Sequence, residues 1–587
     1  MYLGRIAQYT EGTAAINGAP VGGYGRGYWR ATDIEPYIGD TWRLTPKLTL
    51  NLGLRLLYYV PLHDKTKPAY DVNFVPQFYD PNITAQLTAA GNVVPNPATG
   101  HIYDYTMLGD GLVQCGIPPE PKGCLPPYWG ESPRFGFAYD LTGRGTTVIR
   151  GGYGVYDGVE GSYNATIANP SEGTGSGQPP RILTNSVFNV TGYQNIEPGP
   201  LGVLPNLSAI PSNSLFPTVQ QFSFGVQHAF SENNLLTLSY VGTQARHLVR
   251  QRNTNQVPNG AITQNVPAFA GQSVPYCDAL GNCNVQQVLI NNIEPSIFFV
   301  PYLEYGPISY VEDAGNSGYN SLQVNFRHNM GYGLTFQGAY TWSHALDNAS
   351  SEYVLTGIDD SNPNRWYSNS SLNRTNVMEL NYIYDLPFFK TSTRPFTKQI
   401  LGGWQVSGIT SFFTGEPLNF TCGVSGFSSG IGEGVMCNPV GNFKIKKGVV
   451  NDTGFGPTPT WFDPNTITEP NSGQLLSNGE PGMFGYLGRN ALTGPGRNNW
   501  DLALHKDFHL PIKGSEQTVL QFRFETFNTF NHPQWNNVNV GCNGSANEDG
   551  SPAFGRPCGG AQYNLGNGEV NSDCGPRNLQ FALKLTF

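Results

Sequence analysis

Asn578-Leu579-Gln580-Phe581-Ala582-Leu583-Lys584-Leu585-Thr586-Phe587, the end of the chain, decides the reading of the fold. Leu579, Phe581, Leu583, Leu585 and Phe587 alternate without a break with Gln580, Ala582, Lys584 and Thr586. A period of two puts every apolar side chain on one face of a β-strand and every polar one on the other. In water such a strand is a liability, because a bare apolar edge aggregates. In a membrane barrel it is what the surroundings require, with hydrocarbon on one side and an aqueous or filled interior on the other.

The same alternation recurs upstream. Leu48, Leu50, Leu52, Leu54, Leu56 and Tyr58 oppose Thr49, Asn51, Gly53 and Arg55. Phe135, Phe137 and Tyr139 oppose Gly136, Ala138 and Asp140, and Phe222, Phe224 and Val226 oppose Ser223, Gly225 and Gln227. Leu322, Val324 and Phe326 oppose Gln323, Asn325 and Arg327; Leu334, Phe336, Tyr340 and Trp342 oppose Thr335, Gln337 and Thr341. Trp500, Leu502, Leu504, Phe508 and Leu510 oppose Asp501, Ala503, His505, Asp507 and His509, and Leu520, Phe522 and Phe524 oppose Gln521, Arg523 and Glu525. About thirteen strands are expected, most near the ~9–11 residues of a tilted membrane strand. The connections alternate strictly in length. Short ones contain Thr45-Pro46, Thr142-Gly143-Arg144-Gly145, Ser231-Glu232-Asn233, Met330-Gly331-Tyr332-Gly333 and Pro511 to Glu516, with 387–401 of middling length on the same side. Long ones cover 61–132, 157–217, 246–316, 346–371, 415–497 and 531–576. Short turns at one end and long external loops at the other are the asymmetry of outer-membrane barrels. The expected fold class is therefore all-β, a transmembrane antiparallel β-barrel with long extracellular loops.

Composition agrees. Only 13% of the 587 residues are charged and 12% are aromatic, with 72 Gly and 45 Pro, whereas a soluble domain carries about 25% charged residues. Mean hydropathy is nevertheless negative, and no apolar run approaches the ~18 residues of a spanning helix. The net charge of −9 comes without a Lys/Arg cluster, so no nucleic-acid surface is expected. Met1-Tyr2-Leu3-Gly4-Arg5 has no basic segment followed by an apolar one, which reads as a mature end or a truncation rather than a secretory signal. Residues 1–31, Gly-rich around Gly22-Gly23-Tyr24-Gly25-Arg26-Gly27, read as a loop entering a strand, and 32–587 as the barrel domain.

All nine cysteines fall in the long connections. An oxidising external space favours pairing within each loop, Cys115 with Cys124, Cys277 with Cys283 and Cys422 with Cys437, while Cys542, Cys558 and Cys574 leave one over. No CxxC and no finger-like His set occurs, so no metal site is expected. Nor is there a Gly-Lys phosphate loop or an H-E-x-x-H. The expectation is a protein that is not an enzyme and carries no cofactor.

Alternation turns Arg55, Arg134, Arg150, Arg327, Asp501, His505, Asp507, His509, Arg523, Glu525 and Lys584 toward the interior. The Asp501–His509 series offers carboxylates and imidazoles at next-but-one spacing, open to a metal or polar ligand; a hydrated wall is the plainer reading and stands ahead of it. Arg523 and Glu525 read as an interior ion pair. Trp42, Tyr58, Tyr59, Trp342, Trp404 and Trp500 sit near strand ends, as an interfacial girdle or, second, as sugar-stacking rings. The loop around Trp366 and Tyr367 is a candidate for solute capture.

Several stretches together resemble one family. Tyr37-Ile38-Gly39-Asp40-Thr41-Trp42-Arg43-Leu44-Thr45-Pro46-Lys47-Leu48-Thr49-Leu50-Asn51-Leu52-Gly53-Leu54-Arg55 is similar to a barrel hairpin of TonB-dependent receptors of the Oar-like type. Gly494-Pro495-Gly496-Arg497 and Arg523-Phe524-Glu525-Thr526-Phe527-Asn528-Thr529-Phe530-Asn531-His532-Pro533 resemble the late barrel of that group. The resemblance implies the C-terminal part of a 22-strand barrel and uptake of a scarce solute such as a siderophore, glycan or peptide. It implies contact with the TonB complex through a plug domain that is not recognisable in this chain, and hence no gated uptake by this chain alone. It also implies outer-membrane lipid as surroundings and Phe587 as a signal to the barrel-assembly machinery. Two rivals remain: a structural or adhesive surface protein using disulfide-bearing loops, and a soluble secreted β-protein such as a propeller enzyme, whose ~40–50-residue repeat is not found.

Overall fold

A computed structural model describes residues 28–65, 72–87, 110–158, 215–259, 305–331, 333–350, 362–422, 435–452, 484–510, 518–532 and 577–586 continuously, with shorter stretches between them. One antiparallel sheet dominates. Its strands are β1 (Trp29–Ile34), β2 (Tyr37–Thr45), β3 (Leu48–Asp64), β4 (Tyr128–Asp140), β5 (Thr147–Asp157), β6 (Thr218–Ser231), β7 (Asn234–Asn253), β8 (Ile308–Gly331), β9 (Leu334–Asp347), β10 (Asn376–Asp385), β11 (Trp404–Phe413), β12 (Arg497–His509), β13 (Val519–Phe527) and β14 (Asn578–Thr586). Each pairs with its neighbours in chain order, and β1 and β2 lie end to end along the same edge of β3. Pro36 interrupts that edge: it has no N–H to donate, but its carbonyl accepts from Leu56 N at 3.0 Å.

Register shows that the sheet has two continuous faces. Directly opposed residues in an antiparallel pair share a face, so a face can be followed from strand to strand. Leu52 lies opposite Phe135, then Tyr153, Phe222 and Gly242. Leu238 lies opposite Val324 and then Tyr340, Met378 and Phe412. Leu504, Phe524 and Phe581 complete the same face at the far end. The opposite face carries Asn51, Gly136, Gly152, Ser223, Val241, Ser321 and Ser343 in one unbroken row. There are exceptions: Asp40 and Lys506 stand on the apolar face, and Ile383 and Ile409 on the polar one.

Among the described residues no layer covers the apolar face. Leu238 is 42% exposed, Trp342 55% and Leu583 70%. At the long-connection rim of this face, Tyr240 Oη donates to Asn320 Oδ1 at 2.6 Å and Tyr340 Oη to Asn376 Oδ1 at 2.7 Å. Such rings, apolar below and polar above, suit a membrane interface.

Turn chemistry explains the short end. Thr45 Oγ1 accepts from Lys47 N and Leu48 N. Asp140 accepts from Gly143 N at 2.9 Å and Gly145 N at 2.8 Å, and both glycines have φ of +72°, a region L residues rarely adopt. The strands are longer than expected: they reach 17 residues in β3, 20 in β7 and 24 in β8. The excess projects at the long-connection end, past the apolar band.

The buried core lies at that end too, outside the barrel wall. Phe74, Leu112, Leu207, Tyr305 and Ile308 form one cluster, drawn from three different long connections. Beside it Cys115, Cys124, Leu125, Ile210, Val249 and Val311 form another. A third, with Leu418, Phe420, Cys422, Cys437, Phe462 and Leu487, is internal to the connection between β11 and β12. Among the described residues no helix is long and apolar enough to cross a membrane; the α-helix, α1 (Pro395–Leu401), lies in the connection between β10 and β11.

Candidate functional site: the polar face and its loop cap

The glycines of the polar face make it a trough in its first half. Gly39, Gly53, Arg134, Gly154, Gln221 and Thr243 form one row across β2 to β7, beside the row through Asn51, Gly136, Gly152 and Ser223. Together they line a cavity of about 630 Å³. Arg134 stands in it with its guanidinium 4.6 Å from the centre of the Tyr156 ring, a stacking contact that holds the cation without neutralising it. Arg150 lies between Ala138 and Gly225 on the same face. Neither arginine has an ion pair among the described residues, so the cavity holds one positive charge, Arg134, and the same face a second, Arg150.

The other arginines are engaged. Arg55 pairs with Glu35 at 2.7 Å, and Arg327 Nε donates to Asn329 Oδ1 at 2.9 Å. The polar residues of β12 and β13 share a face but do not converge. Asp501 accepts from Asn528 N at 2.9 Å, and Asp507 accepts from Gln521 Nε2 at 3.0 Å. His505 lies between Gln405 and Arg523, with its Nε2 buried and unpartnered, and His509 lies opposite Val519. Among the described residues no three His, Cys, Asp or Glu side chains gather as a metal site. Arg523 does not pair with Glu525, as the sequence suggested; its Nε donates to Gln521 Oε1 at 2.5 Å. Gln521 and Glu525 both stand two positions from Arg523 on β13, about 7 Å away along the strand, and the guanidinium turns to the Gln521 side. Glu525 faces Ala503 and Gln580, and Lys584 lies opposite Gln521.

Above the wall, the long connections fold into a cap. Cys115 is joined to Cys124, with Cα atoms 4.9 Å apart, and Cys422 to Cys437 at 5.1 Å. Cys277 and Cys283 lie opposite each other in a backbone hairpin, their side chains being outside the described residues. Cys542, Cys558, Cys574 and Phe587 also lie outside the described residues. Charged pairs hold the long-connection ends of β7 and β8 together, and another ties the cap to the end of β9. Arg250, 8% exposed, reaches Glu312 at 2.6 Å, and Arg252 reaches the same carboxylate at 3.0 Å. Arg489 bonds the Asp347 carboxylate, with both side chains buried, and Ser368 Oγ donates to the Arg489 carbonyl at 2.8 Å. Burial raises the Tyr302 hydroxyl pKa above its ordinary value, although Arg252 nearby opposes the shift. A second cavity, of about 610 Å³, opens between the cap and the wall, where Tyr319, Ser343 and Asp347 meet Ser350, Ser370 and Arg374.

Two aromatic expectations need correction. Tyr59 is not a girdle ring: it is 4% exposed on the inner face, packed edge-on against Phe216 at 5.6 Å. Trp366 is not presented for capture, being 2% exposed, whereas Tyr367 remains half-open at 46%. Alternation identifies a face but not what covers it, so the cap over the inner face near Tyr59 had no signal in the local pattern. The cysteine pairs were the cap's one sequence marker.

A two-faced antiparallel sheet, short turns and a capped far end are now in place. Residues 5–580 match the family model described as the outer membrane beta barrel domain. The chain belongs to this family. It is accordingly a β-barrel protein of the bacterial outer membrane. No curated protein matches it. Among solved structures it is similar to the outer membrane transporter YddB from Escherichia coli, at 8% identity and a TM-score of 0.35, covering 95% of this chain and 54% of that one. It is similar also to the ferripyoverdine receptor of Pseudomonas aeruginosa, at 10% identity and a TM-score of 0.33, covering 94% and 38%. The FrpB iron transporter from Neisseria meningitidis is 9% identical, with a TM-score of 0.33 and 86% and 42% covered. The chain thus spans about half the length of the first and about two-fifths of the others.

Proposed function

We propose that this barrel domain is the wall of a TonB-dependent receptor of the Oar-like type, which captures a scarce solute outside the cell and admits it along the polar face. The observation that supports this most is the polar trough lined by Arg134, with Arg150 on the same face, beneath a cap built from the long connections. A wall of that kind offers water and hydrogen bonds to a polar solute, and two unneutralised guanidiniums favour an anionic one. The Oar-like hairpin from Tyr37 to Arg55 points the same way. In this reading the TonB complex acts through a plug domain, the barrel-assembly machinery reads the end of the chain at Phe587, and no chemical bond is made or broken. The interior charges Asp501, His505, Asp507, His509, Arg523, Glu525 and Lys584 serve as a hydrated lining.

The test is genetic and biochemical together. Deleting the gene should abolish energy-dependent uptake of a solute class, and restoring it should recover uptake only while the proton-motive force is intact. Uptake that is indifferent to the deletion across siderophores, glycans and peptides would reject the proposal. A second reading, an adhesive surface protein, is favoured by one feature. The connection between β11 and β12 has a core and a disulfide of its own, as a contact module needs. Removing that module would then abolish adhesion and leave uptake untouched.

A further inference from the structure

The connection between β10 and β11 differs from every other described short one. The others are polar turns; Leu386 to Gly403 contains α1 and a set of bare apolar side chains. Phe388 is 64% exposed and Phe396 75%, and Phe389, Ile400 and Leu401 are exposed beside them. Lys390, Arg394 and Lys398 are exposed as well, and the segment has no acidic residue. None of the three cations has an ion pair among the described residues.

This display is ordered. Leu386 N donates to Trp404 O at 2.8 Å and closes the segment at its base. Phe389 sits at φ +56°, and its carbonyl accepts from Ser392 N at 3.2 Å. A Cβ on Gly402 would fall 2.8 Å from the Phe389 carbonyl oxygen, so only glycine lets the returning chain pass so close. The segment is also placed. Trp404 Nε1 donates to Ile400 O at 3.0 Å, and the Lys506 ammonium donates to Gly402 O. Trp404 and Lys506 are register partners on the apolar face of the sheet, and the Trp404 ring meets Phe522 of that face at 6.0 Å. The exposed rings are therefore continuous with the lipid-facing surface, at its short-turn rim.

We infer that residues 386–403 form a lipid-anchoring site for anionic phospholipid in the leaflet at the short-turn end. The aromatic and aliphatic side chains enter the boundary between headgroups and acyl chains, and Lys390, Arg394 and Lys398 meet the phosphates. Aromatic and aliphatic groups with cations alongside are the composition of an interfacial anchor, and basic residues near an anionic leaflet each add to its affinity. The inference needs only the barrel's place in the outer membrane, whatever its cargo.

The test is native mass spectrometry of the full chain, folded in neutral detergent and titrated with phosphatidylglycerol or phosphatidylcholine. The native chain should bind phosphatidylglycerol more tightly. The triple variant Lys390→Gln, Arg394→Gln, Lys398→Gln should lose that preference, by about fivefold per charge removed. Phe388→Ser with Phe396→Ser should weaken both lipids and keep the preference. Far-UV circular dichroism confirms folding, and if the triple variant does not fold, Lys398→Gln alone should show the fivefold step. A native chain with no preference, or a variant that keeps it in full, overturns the site and leaves the patch to a protein partner.

Discussion

Leu238→Arg and Thr237→Arg place the same side chain one residue apart on β7, and they should behave as different mutations. Leu238 lies opposite Val226 and Val324 on the apolar face, 42% exposed with no layer over it among the described residues. Thr237 lies opposite Gln227 and Asn325 on the polar face. From Leu238 the polar rim at Gly242, opposite Asn320, is four residues away, about 13 Å along a strand. That is too far for an arginine to reach without thinning the bilayer. An arginine at the midplane of a barrel's lipid face costs ~2–4 kcal/mol, equivalent to about 30- to 900-fold in the folding equilibrium. On the inner face the guanidinium stays hydrated, so Thr237→Arg should shift stability by no more than ~0.5 kcal/mol. Equilibrium urea unfolding in phospholipid vesicles measures both. Equal costs at the two positions, or a larger one at Thr237, would refute the facing drawn from register.

Leu583→Arg should cost less than Leu238→Arg in the same assay, because Leu583 lies opposite Phe522, in the row that already holds Lys506. Replacing Cys422 and Cys437 with serine should lower the local stability of their loop by ~3 kcal/mol, the expectation for a ring of about fifteen residues; faster proteolysis of 415–497 with the strands left intact is the readout, and unchanged proteolysis contradicts it. Arg489→Met strands the buried Asp347 carboxylate and should cost ~3–5 kcal/mol, seen as faster amide exchange at 484–490, with Asp347→Asn recovering part of the loss. Arg134→Ala with Arg150→Ala should move the reversal potential of the reconstituted barrel toward cation selectivity under a salt gradient; an unmoved potential would remove these arginines from the path.

What the sequence made legible was the wall. Alternation is a local signal, repeated residue by residue, and it survives even where Lys506 and Ile409 break it, because neighbours such as Leu504 and Ser407 hold the phase. Connection lengths were legible for the same reason, since turns such as Thr142-Gly143-Arg144-Gly145 announce themselves. The cap was not. Phe74 packs on Tyr305, and Arg489 finds Asp347 across 142 positions of sequence; no periodicity links residues so far apart. Strand lengths failed for a related reason: β8 continues past its apolar band through Glu312-Asp313-Ala314-Gly315-Asn316-Ser317, which reads as loop. The candidate interior residues could be assigned to a face, but alternation does not fix which neighbour on that face a side chain turns to, so Arg523 meets Gln521 where Glu525 was expected.

The central claim is that hydrocarbon wets one set of side chains and water the other. Nitroxides placed singly at 235 to 241, in a background with Cys542, Cys558 and Cys574 replaced by serine, test it residue by residue in vesicles. Collision with oxygen should peak at Leu236, Leu238 and Tyr240, and collision with a water-soluble nickel chelate at Leu235, Thr237, Ser239 and Val241. Two profiles in phase, or without alternation, would contradict the account.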